Sequence, residues 1–117
     1  MQNIEQIAQI CHETNRAYCQ TIGDDSQQSW DRAEEWQRES ARRGVRFAIE
    51  NPGAPASAQH DAWLQDKIRD GWKYGPFKIV AKREHPCILP YAELPVQQRF
   101  KDDLFRAIVM AFLNLER

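Results

Sequence analysis

Apolar residues at helical spacing run through this chain and favour a mainly helical fold. The most regular run follows Pro95, where apolar residues recur every three or four positions: Phe100, Leu104, Phe105, Ile108, Val109, Phe112 and Leu115. This spacing places them on one side of an α-helix, because the helix turns by about 100° per residue. The pattern predicts a final helix that begins at Pro95 and packs this side into the core.

Two more segments in the first half of the chain have the same periodicity. Residues 3–21 are predicted to form a helix that Gly23 ends, and a second helix is predicted from about Asp31 to Asn51. The inward residues are predicted to be Ile4, Ile7, Ala8, Cys11, Tyr18 and Ile22 in the first helix, and Ala33, Trp36, Ser40, Ala41, Gly44, Val45 and Ala48 in the second. The small residues of the second helix would allow another helix to approach closely.

A third helix is predicted after the Pro/Gly/Ala-rich connector 51–58. Ser57 is the expected N-cap and Gly71 the expected end. The inward side of this helix is predicted to carry Trp63, Leu64 and Ile68, with Trp72 as a further candidate just after its end.

The segment 72–94 interrupts the helical pattern. Its stretches "FKIVAK" and "CILPY" have β-propensity, which predicts a two-stranded hairpin that leans on the helices. Gly71 and Gly75 are expected to permit turns, and the prolines of the segment stiffen its path. The prediction is one mainly α domain over residues 1–117: a compact four-helix fold with a short β-hairpin-like insert before the C-terminal helix.

Charge and hydropathy argue against several classes of partner. Lys and Arg total 16 against 17 Asp and Glu, so a net charge of −1 gives no electrostatic reason to expect nucleic-acid or membrane binding. No stretch approaches the roughly 20 apolar residues of a membrane-spanning helix. The first residues resemble no signal peptide, and the three cysteines contain no Cys-x-x-Cys motif. We expect a cytoplasmic protein with reduced thiols.

Catalytic and metal-binding motifs are not visible in the sequence. His12 and Glu13 are adjacent, so on a helix they point in different directions and form no dyad by spacing. No nucleotide-phosphate loop or serine-nucleophile motif occurs. His85-x-Cys87 lacks the paired spacing of a zinc site. We therefore expect a non-catalytic protein without a metal or cofactor.

Aromatic residues give the strongest indication of a binding site. His60 precedes Trp63 by three residues and Lys67 follows it by four, which places all three on one helical face. An indole could stack on a base, worth about 1–3 kcal/mol, while the ammonium group contacts a phosphate. Such a face suits a flat anionic ligand such as a nucleotide. The alternative is a surface helix whose tryptophan packs under a neighbour, and Trp36 and Trp72 are expected to fill the core.

The segment 60–95 resembles the RyR domain, a repeat first described in ryanodine-receptor calcium-release channels. The matching elements are His60-x-x-Trp63, Lys67-Ile68, Gly71-Trp72-x-Tyr74-Gly75-Pro76, His85-Pro86-Cys87, Tyr91 and Leu94-Pro95. The N-terminal half is similar to stand-alone bacterial and phage proteins of this family. The resemblance implies a compact helical domain with a regulatory or ligand-sensing role, with purine-type ligands the leading class.

The spacing and the resemblance together define a set of expected ligand-binding residues: His60, Trp63, Lys67, Trp72, Tyr74, His85 and Tyr91. His85 could instead cap a helix end. Two other functions stay open, a protein–protein interaction module that docks a partner on the Trp63 face and a phage-encoded sponge for a nucleotide defence signal. The channels pair two repeats, so a single repeat could rebuild a shared site as a symmetric homodimer.

Overall fold

The computed structural model describes residues 3–115, with the side chains described up to Asn114, and shows a mainly α fold. The elements are α1 (Ile4–Thr21), α2 (Glu35–Glu50), α3 (Ala56–Arg69), β1 (Lys73–Tyr74), β2 (Glu84–His85) and α4 (Val96–Leu115), with 3₁₀ turns at Val80–Lys82 and Tyr91–Glu93. The predicted fold class, four helices with a short β element before the last one, is confirmed. The side chain predicted to point inward at Leu115 lies outside the described residues.

The first two helices differ in how well their starts were predicted. The Asn3 side chain caps α1 by accepting a hydrogen bond from the Gln6 backbone N–H at 3.0 Å. The second helix begins at Glu35, so the predicted start near Asp31 is wrong. The Glu13 carboxylate accepts a hydrogen bond from the Trp30 N–H at 3.0 Å, and Arg38 donates to the Trp30 carbonyl at 3.1 Å. These two bonds hold Trp30, and the residues between it and α2 form turns instead of a helix.

The start of α3 also differs from the prediction. Pro55 is the N-cap residue and Ser57 lies inside the first turn. Proline suits this position because its fixed φ is compatible with a helix start and its carbonyl can still accept the first helical hydrogen bonds. The Ala58 N–H donates to that carbonyl at 3.0 Å. The predicted N-cap at Ser57 is therefore wrong, although the connector and the helix are present.

Helices α1, α2 and α4 enclose the larger of two hydrophobic clusters. This main cluster consists of small and aliphatic residues with one tryptophan: Ile7, Ala8, Cys11, Trp30, Val45, Ala48 and Val109. Gly44 lies where α2 meets α4, and a Cβ there would come within 2.9 Å of the Phe105 ring. The small residue thus permits the close helix contact that the sequence predicts.

Two residues predicted to point inward are exposed instead. Ile68 is 50% exposed because Lys67, one position earlier, takes the inward position in the last turn of α3. Phe100 is 49% exposed because the next two residues of α4, Lys101 and Asp102, face the interior. In both cases neighbouring charged residues take the inward place and the apolar residue faces outward.

The insert between α3 and α4 contains a parallel strand pair. Lys73 pairs with Glu84 and Tyr74 with His85, so the strands lie outside the two stretches from which a hairpin was predicted. The first stretch ends in the 3₁₀ turn Val80–Lys82, and its Ile79 forms an isolated antiparallel bridge with Glu84. Cys87 and Ile88 of the second stretch bury their side chains. Gly71 has a φ of 89°, and a Cβ on Gly75 would lie 2.7 Å from Cβ of Glu84. Both glycines are therefore needed for this path.

Between residues 3 and 115, none of the helices combines the length and the apolar character needed to cross a membrane.

Candidate functional site

A cavity of about 470 Å³ lies between the helices and the insert. Its volume falls within the range of roughly 300–1,000 Å³ that is typical of small-molecule sites. Three tryptophans, Trp36, Trp63 and Trp72, line it together with the side chains of Lys67 and His85. The cavity thus combines aromatic surface with charged and polar groups.

The aromatic rings of the cavity wall form a continuous series of contacts, from Trp36 through Trp72 and His85 to Trp63. The ring centroids of Trp36 and Trp72 are 5.3 Å apart, and those of Trp72 and His85 are 6.3 Å apart at 71°. His85 also lies 5.5 Å from Trp63 at 69°. The two pairs with His85 are edge-to-face and the Trp36–Trp72 pair is tilted, and all three lie at distances at which aromatic pairs are favourable. The packing fixes the orientation of the imidazole between two indoles.

Lys67 is the most unusual residue of the cavity. It is 4% exposed, and its Nζ lies 5.1 Å from the Trp36 ring centroid. Among residues 3–114 no carboxylate forms a salt bridge with it and no acceptor forms a hydrogen bond with it. Burial lowers the pKa of this ammonium group to about 8. The charge of Asp70 opposes this shift without a direct contact. A buried cation that packs on an indole face is costly, because it has lost water without gaining a directly bound anion.

His85 is held as a neutral hydrogen-bond donor. Its Nδ1 accepts a hydrogen bond from the Cys87 backbone N–H at 2.9 Å, so the ring hydrogen resides on Nε2. Burial lowers the pKa of His85 to about 3, and the charges of nearby Lys78, Lys101 and Lys67 contribute to this effect. His85 thus caps the turn after β2, whereas the sequence suggested a helix end.

A second histidine lies at another part of the wall, next to a carboxyl group. His60 is 3% exposed, and its Nε2 is 2.7 Å from the Leu89 carbonyl. Its Nδ1 lies 3.6 Å from Oδ2 of Asp102. Burial and the neighbouring charge of Asp103 raise the pKa of Asp102 to about 7. Asp102 therefore changes its charge in the physiological range while lining the cavity.

Five of the seven residues predicted from the sequence line this one cavity: His60, Trp63, Lys67, Trp72 and His85. The other two lie apart from it. Tyr91 packs behind His60, with 6.1 Å between ring centroids, and Tyr74 is 53% exposed on β1. The predicted helical face of α3 is present, but it faces the interior of the protein.

The wall residues that sequence reasoning missed include one tryptophan and three charged residues: Trp36, Lys78, Lys101 and Asp102. Trp36 was taken only as a core residue. Lys78 is a single cation within an apolar run, a pattern that usually marks an exposed position on a strand. One signal could have been used in α4. Lys101 and Asp102 lie between Phe100 and Leu104, at the start of the apolar stripe of this helix.

Metal binding has no evident basis in the described side chains, since no group of three or more His, Cys, Asp or Glu residues is arranged to hold an ion.

The family model of the RyR domain matches residues 53–115, which is more than half of the chain. The matched region contains α3, the insert and α4, and these elements contribute most of the cavity residues described above. The chain therefore belongs to the RyR domain family.

Proposed function

We propose that this protein binds a nucleotide-like small molecule in the cavity and does not transform it chemically. The observation that carries the proposal is Lys67, a buried cation without an anionic partner at the wall of an aromatic cavity. Such a group destabilises the empty fold and gains a favourable partner when an anion enters. Natural proteins often retain a destabilising arrangement of this kind where binding requires it.

The aromatic wall supports a flat ligand. Trp63 is half-buried and lines the cavity beside His60, with 5.5 Å between their ring centroids. An indole in this position can stack on a purine or pyrimidine, since every base presents a π-face. A base on Trp63 and an anionic group near Lys67 would account for both properties of the wall.

The proposal includes no turnover, because the two cavity residues of the insert that could react, His85 and Cys87, are both in unreactive states. His85 is neutral and one ring nitrogen is bound to the Cys87 N–H, so it has no free basic nitrogen to accept a proton. Burial raises the pKa of the Cys87 thiol, which disfavours the nucleophilic thiolate. A binding or sensing role needs neither group to react.

The test is a thermal-shift panel followed by titration calorimetry. The panel contains mononucleotides, cyclic mono- and dinucleotides, ADP-ribose variants and xanthines. A ligand at 100 times its Kd adds about 2.7 kcal/mol, which shifts the melting temperature of a domain of this size by several degrees. Trp63→Leu should weaken a hit about 10- to 100-fold, the equivalent of one stacking contact.

The matched control is Phe77→Leu, which removes an aromatic ring that is 72% exposed on the insert. It should leave the affinity unchanged. A panel without a single hit, or a hit that Trp63→Leu does not weaken, would contradict the proposal. Slow dissociation of a hit would favour a sequestering role, and fast dissociation a sensing role.

A second candidate function is protein docking on the exposed side of the insert, where Phe77 lies. Phe77, Tyr74 and Val80 expose 72%, 53% and 43% of their surface on the insert, next to the cavity-forming segment. Apolar side chains exposed together in one segment are typical of protein-contact surfaces. If this surface docks a protein, Phe77→Leu should impair that interaction while Trp63→Leu leaves it intact.

A further inference from the structure

Three lysines border the cavity around one imidazole. Lys67, Lys78 and Lys101 all line it, and the positive charge of each acts on the ring of His85. Burial also lowers the pKa of Lys78, with the charge of Lys101 adding to the effect. We call Lys67, Lys78, Lys101 and His85 the anion subsite.

The positive charges of the anion subsite are not neutralised locally. Over residues 3–114, none of its three ammonium groups has a carboxylate within salt-bridge distance. Two other charged side chains of the cavity wall are paired within their own helices, Arg43 with Glu39 and Arg69 with Asp66. Asp24 acts on Lys78 and Lys101, and Asp70 acts on Lys67, without a direct contact. Asp102 lies on the same wall beside His60, and its pKa of about 7 leaves it partly charged. The three ammonium groups therefore border the cavity without a direct carboxylate contact among the described residues.

His85 adds directional hydrogen bonding to this charge. Because Nδ1 is occupied by the Cys87 N–H, only Nε2–H remains to interact with a ligand, and it can act only as a donor. Ammonium groups and a neutral N–H donor together match a group made entirely of acceptor oxygens. Phosphate has this character, whereas a neutral base offers both donors and acceptors.

We propose that the anion subsite binds a phosphate moiety carrying two negative charges, such as a phosphomonoester or a diphosphate, while the base of the same ligand stacks on Trp63. This inference rests on the proposed function and makes it more specific. Neutral purines would leave the lysines without a counter-charge, and an isolated phosphodiester would neutralise only one. The cavity volume of about 470 Å³ is sufficient for a nucleotide with both parts.

The subsite can be tested without knowing the base. Inorganic pyrophosphate is titrated into the protein at constant ionic strength, with dimethyl phosphate as a singly charged comparison. Pyrophosphate should bind and raise the melting temperature, and dimethyl phosphate should do neither at the same concentration. Lys78→Met and Lys101→Met should each weaken pyrophosphate binding about tenfold or more, the loss expected for a charge-assisted hydrogen bond.

Lys82→Met is the matched control, because Lys82 is an exposed lysine in the 3₁₀ turn of the same insert. It should leave pyrophosphate binding within twofold of the unmodified protein. If Lys78→Met fails to fold, Lys101→Met on α4 still tests the subsite. Equal binding of pyrophosphate in the control and in the subsite variants would overturn the inference, as would no binding at all. A neutral purine that binds through Trp63 while pyrophosphate does not would overturn the subsite and leave the proposed function standing.

Discussion

The two hydrophobic clusters of this domain differ in the types of residue that form them. The main cluster joins α1, α2 and α4 through small and aliphatic residues, and Ala8, Val45 and Val109 have no exposed surface. The second cluster joins α3 to the insert through Leu64, Trp72 and Ile88, with Trp36 and Trp63 packed against it. At the first cluster the Arg42 guanidinium lies 5.7 Å from the Trp30 ring centroid and is paired with carboxylates, whereas at the second the Lys67 ammonium is itself buried, 5.1 Å from the Trp36 ring centroid.

If the proposed function is correct, this difference separates stability from binding within one small chain. Close packing of aliphatic side chains contributes most of the stability that a domain of this size can have. The main cluster reaches the cavity only through part of its membership, with Cys11 in the lining. Large flat rings do not fill the space between them completely. The space that remains at the second cluster is part of the cavity, and the rings form its wall. We therefore expect substitutions in the main cluster to change stability, and substitutions around the second cluster to change binding and pH dependence.

Ile7→Ala should have the largest effect, because Ile7 is 2% exposed in the main cluster. Removing its side chain should lower the free energy of unfolding by about 2–5 kcal/mol, through lost burial and a new cavity. Urea denaturation followed by circular dichroism measures this. Ile68→Ala is the control, since Ile68 is 50% exposed, and it should stay within about 0.5 kcal/mol. Similar losses in both variants would remove the basis for treating the main cluster as the stability centre.

Lys67→Met should act in the opposite direction. The substitution keeps the chain length and removes a charge whose pKa burial has lowered from 10.5 to about 8. The domain should gain about 1–3 kcal/mol, which is the desolvation cost less the lost contact with Trp36. The same variant should bind anionic ligands less tightly. Thermal and urea unfolding measure the gain, and Lys82→Met, which removes an exposed charge, is the control. A destabilised Lys67→Met would show that the cation is structurally required.

Asp102 should make stability depend on pH. Its folded pKa of about 7 lies above the usual value of 3.8, so the folded state binds the proton more tightly than the unfolded state does. The resulting stability is present below about pH 4 and is lost as pH rises through 7. Asp102→Asn should reduce this decline by about 1–2 kcal/mol, less than the full shift because His60 is 3.6 Å away. Urea midpoints measured from pH 4 to 8 test this, and equal slopes in both proteins would contradict it.

Tyr74→Ser should have the smallest effect. Tyr74 is 53% exposed on β1 and does not line the cavity. Its replacement should change the free energy of unfolding by no more than about 0.5 kcal/mol. The affinity for any cavity ligand should stay within twofold by calorimetry. A larger loss of affinity would show that the binding site extends onto the exposed side of the insert.

Helical periodicity was a sound guide to the fold because each helix buries one side. The four helices and the break between the last two followed from that pattern. The strands could not be predicted in the same way, since a two-residue pair depends on glycines and on tertiary contacts more than on β-propensity. The late start of α2 has a similar cause, because the Glu13 carboxylate that binds the Trp30 N–H is 17 residues away.

The candidate site could be predicted only in part, for a related reason. Spacing on one helix brought His60, Trp63 and Lys67 together, and the resemblance supplied Trp72 and His85 from the insert. Lys78 and Lys101 come from two separate elements, and no local pattern shows that they face the same cavity. A charged residue in an amphipathic pattern is normally assigned to solvent. The fold places these lysines inward, and only the tertiary structure reveals it.

The positions of the four tryptophans make intrinsic fluorescence a useful measurement for this protein. Trp36, Trp63 and Trp72 line the cavity, while Trp30 lies in the main cluster at 7% exposure. Three of the four indoles would thus sense an occupant of the cavity, and the fourth reports on the core. Intrinsic fluorescence of the unlabelled chain can therefore separate ligand entry from unfolding in a single titration.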